Sequence, residues 1–128
     1  MKKIREFQLD MNGTLVGTEM EQYSTRVNQM NFIIDNSKVT SSKIKLSELA
    51  EKLKVTLERN FNLEKEESSG KSIKHYSGSI STAQKSFIKI RLMTTTLIKE
   101  NSVVRAIVYG ADENFSEEQA TFFLKSLE

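Results

Sequence analysis

Ser86-Phe87-Ile88-Lys89-Ile90-Arg91-Leu92-Met93-Thr94-Thr95-Thr96-Leu97-Ile98, then Glu100-Asn101-Ser102, then Val103-Val104-Arg105-Ala106-Ile107-Val108-Tyr109, reads as two long strands joined by a tight turn. The second strand is apolar on both faces save Arg105, the pattern of a central strand covered on more than one side. Immediately downstream, Phe115-Ser116-Glu117-Glu118-Gln119 opens an amphipathic helix that ends at Leu127. Ser116 and Gln119 have the spacing of a capping box, and Phe115 sits where a hydrophobic staple would sit. Ala120, Phe123, Leu124 and Leu127 form the stripe expected to be buried.

Working outward from this unit, Ser72 to Ile80 alternates in the manner of a further strand, reached through an acidic, polar stretch from Asn62 to Gly70 and followed by a polar link, Ser81 to Lys85. Leu46, Leu49, Ala50, Leu53, Leu57 and Phe61 recur at three and four residues and predict a first helix, with Ser47 as its cap. Its other face, Glu51, Lys52, Lys54 and Glu58, is a solvated one. Near the N-terminus Phe7, Leu9 and Met11 share one face of an alternating run that meets Asn12-Gly13, a strong hairpin signal because both residues accept positive φ. Thr14 to Met20 is the predicted returning strand, with Gly17 as a bulge. Thr25 to Asp35 is the next extended run, with Met30, Phe32 and Ile34 on one face and a turn at Asn36-Ser37-Lys38. Hairpin-length links favour antiparallel pairing. The expected fold is therefore α+β, an antiparallel twisted sheet of about six strands with two helices, in a single domain: an N-terminal hairpin over residues 1–26 and a core over 27–127.

Composition bounds the function. The chain has 128 residues, 38% hydrophobic and 28% charged, which is one ordinary globular domain. A net charge of +2 is too small a bias to point to nucleic acid. The absence of cysteine removes disulfides, thiolate catalysis and thiolate metal sites. No apolar h-region follows Met1-Lys2-Lys3, and no run approaches the ~18 apolar residues of a membrane span. The expected location is the cytoplasm, or the periplasm for a chain whose leader has been trimmed.

Chemical motifs are sparse. Gly70-Lys71-Ser72 has the tail of a phosphate-binding loop, but Lys65 stands where the leading glycine belongs, and Glu64, Glu66 and Glu67 would repel a nucleotide. His75, the only histidine, lies in an alternating strand among serines, where a structural or solvent-exposed role is expected. Asp112-Glu113-Asn114 lacks the glycine and later ligands of a calcium loop, and acidic residues ahead of a helix follow from its dipole. No pairing of a nucleophile with a base is found, so the expectation is a protein without catalytic residues, cofactor or metal. Met11, Met20, Met30 and Met93 fall on or near strands, where methionine fills a core or lines an adaptable binding surface.

The order of strand, loop, helix of the Leu46-Ser47-Glu48-Leu49-Ala50 type, strand meander and closing Phe115-Ser116-Glu117-Glu118 helix resembles the PsbP superfamily, in particular its bacterial DcrB-like branch. The likeness covers about Val27 to Leu127, and the strand Val103 to Gly110 with the final helix carries most of it. Residues 1–26 depart from it, because the family's segment after the first strand bears proline or tryptophan and this chain has neither. The resemblance implies a non-enzymatic accessory, adaptor or chaperone-like protein, as in chaperones of type VI secretion effectors or periplasmic lipoproteins. Under that reading a protein partner, an apolar helix or a second copy of the chain, docks on a sheet face or groove through Met20, Tyr23, Met30, Phe87 and Met93. The alternative reading is a carrier of a small apolar ligand, which an internal cavity of several hundred Å³ would favour.

Overall fold

The computed structural model describes residues 2–11, 13–40, 44–69, 72–81, 84 and 86–127, with backbone alone over 65–69. Among the described residues seven strands form one sheet: β1 (Lys2–Met11), β2 (Thr14–Val27), β3 (Met30–Val39), β4 (Lys65–Ser69), β5 (Ile73–Ser81), β6 (Phe87–Ile98) and β7 (Val103–Ala111). Their order is β1-β2-β3-β7-β6-β5-β4, and every neighbouring pair is antiparallel. The sheet is thus two hairpin-linked meanders, one of three strands and one of four, sewn together where β3 meets β7. The helix α1 (Leu46–Asn60) connects β3 with the far edge strand β4, and α2 (Glu117–Lys125) follows β7 after a single 3₁₀ turn at Asp112–Asn114.

Alternation along β7 puts the helices on opposite faces. Val103 belongs with Leu49 and Leu53 of α1, and Ile107 with Leu57, whereas Ala106 and Val108 belong with Ala120 and Leu124 of α2. Residues of opposite parity on one strand point to opposite sides. The expected two-sided cover of this strand is therefore present, and β7 is the middle strand of three layers. Met30 and Met93 complete the α2-side cluster with Ile73; Met20, Leu9, Met11 and Val16 complete the α1-side one.

The α+β class and antiparallel pairing agree with the sequence reading. The sheet has seven strands where about six were expected, because residues 65–69 of the acidic stretch pair with Ile73–Ser77 as the edge strand β4. The predicted turn at Asn36-Ser37-Lys38 lies inside β3; the chain reverses earlier, at Asn28 and Gln29, whose φ angles of 51° and 65° match the two-residue hairpin turn. Gly17 pairs in continuous register with Gln8 and is no bulge; a Cβ there would come within 2.9 Å of the Thr40 hydroxyl, and Thr40 donates its backbone N–H to the Gly17 carbonyl. Ser47 lies within the first turn of α1, whose N-cap is Lys45 with no side-chain cap bond. At α2 half of the expected capping box is present: Ser116 Oγ accepts from the Gln119 N–H at 3.3 Å, but the Ser116 N–H goes to Met30 Sδ and not to the Gln119 side chain.

Candidate functional site

The five residues expected to meet a partner do not form one surface. Met20, Met30 and Met93 fill the interior, Met30 with no exposed surface at all. Sulfur chemistry adds a reason for Met30: its Sδ accepts the N–H of Ser116, fixing the residue that caps α2. Tyr23 and Phe87 are 48% and 70% exposed, Tyr23 on β2 and Phe87 at the start of β6. Of the three methionines, Met20 lines a cleft.

Two larger concavities lie on opposite faces. On the α2 face a groove of about 660 Å³ runs between α2 and the end of the β2–β3 hairpin. Val27 and Thr25 from β2, Phe32 from β3, and Phe122 and Phe123 from α2 supply its walls, with Ser116, Glu118, Gln119 and Ser126 on the rim. Phe123 meets Phe32 edge to face at 5.1 Å, which anchors the helix. Its neighbour Phe122 is 83% exposed. The signal was present in Phe122-Phe123, since an apolar stripe through Phe123 and Leu124 leaves Phe122 off the sheet.

On the α1 face a cleft of about 630 Å³ lies between α1 and the β1–β3 meander, with Phe7, Leu9, Met20, Leu53, Leu57 and Ile107 among its lining residues. Its floor holds a buried ion pair: Arg105 donates from Nε and Nη2 to the two oxygens of Asp35, at 3.1 and 2.8 Å, and from Nη1 to the Leu53 carbonyl at 3.3 Å.

A third group is polar. Arg91 on β6 donates to Glu117 at 3.3 Å and lies 3.8 Å from Asp112, while His75 Nε2 on β5 is 4.0 Å from Glu117. Arg91 also stacks on Phe115, 5.1 Å from the ring centroid. The Arg91 contacts clasp the start of α2 to β6, while His75 Nε2 has no hydrogen-bond partner among the described residues. Phe115 is thereby a partly buried residue of the α2-side cluster, as its position before the cap suggested. Among the described residues no three His, Cys, Asp or Glu side chains gather as a metal site. Gly70 and Lys71 of the phosphate-loop fragment lie outside the described residues. No described helix is long and apolar enough to cross a membrane.

Compared with family models, curated proteins and solved structures, the chain matches none significantly.

Proposed function

We propose that this chain is a non-enzymatic accessory protein, adaptor or chaperone-like, that seats an amphipathic helix of a protein partner in the groove beside α2. The single observation behind this reading is Phe122, an aromatic side chain left 83% exposed on the wall of a mostly apolar groove. Aromatic anchors beside pockets dominate protein interfaces, and a groove between a helix and a sheet suits the apolar stripe of another helix. Glu118 is the charged residue of the lining, so the partner helix carries a lysine or arginine beside its apolar stripe. Membership of the PsbP superfamily, in its DcrB-like branch, belongs to the same proposal; the succession of meander, helix, meander and closing helix supports it.

The test is fluorescence anisotropy with a labelled model helix carrying leucine at i, i+3, i+4 and i+7 and lysine on the flank. Phe122→Asp and Val27→Lys, at exposed positions, are expected to weaken its binding at least tenfold while leaving the circular dichroism spectrum unchanged. Unaltered binding by both variants, or no binding by the parent chain, defeats the reading.

A further inference from the structure

We propose that the cleft under α1 is a second, separate site that takes a small amphipathic anion, a straight-chain carboxylate of medium length. The volume of about 630 Å³ falls within the ~300–1,000 Å³ common for small-molecule sites. One wall is Phe7 of β1 and Met20 of β2; the roof is Leu53 and Leu57 of α1; Ile107 closes the inner end. These surfaces suit an aliphatic chain.

The head group follows from charge. Arg105 reaches the cleft floor but is already neutralised by Asp35. Gln22, Thr56 and Asn60 are neutral. Glu6 borders the mouth, but the alternation of β1 sends its side chain to the face away from Arg5 and Phe7. Among the described residues Arg5 is left as the cation at the mouth, and it makes no ion pair there. A single guanidinium matches one carboxylate through paired N–H···O bonds. The ligand therefore lies with its chain between Phe7, Met20 and Leu53 and its carboxylate on Arg5. The ion pair beneath gives the floor a polar stripe without net charge, so charge selection rests with the mouth alone.

Titration with decanoate, followed through the methyl resonances of Met20 and Leu53, tests this. Saturable shifts of both are expected, with the methyls of Val27 in the other groove unmoved. Arg5→Glu, on an exposed edge strand, is expected to weaken decanoate at least tenfold and to leave decanol, which has the chain without the charge, within twofold. Gln22→Trp, which fills the cleft, is expected to abolish both. Unmoved Met20 and Leu53 methyls, or decanoate bound equally by Arg5→Glu, overturn the proposal. Phe122→Asp should leave decanoate binding as it is, so this site and the partner groove stand or fall by different measurements.

Discussion

Arg105 and Asp35 sit opposite each other on β7 and β3, 70 residues apart in sequence, and both are buried beneath Leu53. Two charges taken out of water cost several kcal/mol each, and the bidentate geometry with the added bond to the Leu53 carbonyl offsets that. Removing one partner strands the other. Arg105→Met should cost about 3–5 kcal/mol in urea denaturation, whereas Arg105→Met with Asp35→Leu should recover most of it, since an apolar pair of similar volume is often neutral or stabilising. At the opposite extreme of burial, Lys2 Nζ lies 2.8 Å from Glu21 Oε1, on the surface. The hydrogen bond from Lys2, then its charge, hold the Glu21 carboxyl below its ordinary 4.5, and Glu21 in turn raises Lys2 above 10.5. The carboxylate's small contribution is therefore present above 4.5 and lost as pH falls through the lowered value; that of Lys2 is present below 10.5 and lost as pH rises through the raised one. Lys2→Met should move the Glu21 titration up toward its ordinary position in a carbon-detected NMR experiment, and ~1 M salt should move it part of the way in the parent chain by screening the charge while leaving the hydrogen bond.

Elements were legible in the sequence wherever periodicity ran unbroken. The run from Phe87 to Ile98, the strand from Val103, the leucine stripe of α1 and the Ser116 cap all stand where the pattern puts them. Short-range polarity misled elsewhere. Asn36-Ser37-Lys38 has turn composition, yet Ser37 is fully buried within β3, paired with Met20 and Val103, because tertiary pairing overrides local preference. The groove beside α2 was illegible for a different reason: it needs β2, β3 and α2 side by side, a long-range pairing that no local window contains. Gly78 in β5 carries a signal that the strand pattern alone does not explain. The chain leaving α1 descends onto this strand, with Ser79 donating to the Phe61 carbonyl and Glu64 to the Ser77 carbonyl. A Cβ at residue 78 would collide with the backbone oxygen of Phe61 and press on Leu63. Gly78→Ala should accordingly destabilise by about 1–3 kcal/mol, the usual cost of overpacking, although alanine is the better residue for an unobstructed strand. A denaturation midpoint measured against Ser77→Ala, at the exposed neighbour, checks it.

At the scale of the molecule, the described residues form one sheet with two edges, because the meanders join at β3 and β7 and leave β1 and β4 outermost. An unpaired edge presents a row of backbone donors and acceptors to any extended chain, and β1 is ten residues long. Five of those ten are charged: Lys2, Lys3, Arg5, Glu6 and Asp10. A second copy pairing antiparallel about Glu6 would face that carboxylate with itself, although it would also set Lys2 against Asp10, and pairing about Arg5 would face two guanidinium groups. Like charges directly opposite are destabilising in such pairs. Pairing about Phe7 avoids that clash but sets Lys3 against Met11 and Asp10 against Ile4, taking water from charges without giving them partners. Charge on the edge thus weighs against self-pairing of β1 in the registers about Arg5 and Phe7. Lys3→Val with Glu6→Val removes one charge from each side of the strand and leaves Arg5 in place. It should shift the sedimentation velocity profile toward larger species at equal concentration, while Lys52→Val with Glu58→Val on α1 should not. A profile unchanged by the edge pair would mean that backbone pairing at β1 is blocked by something other than charge.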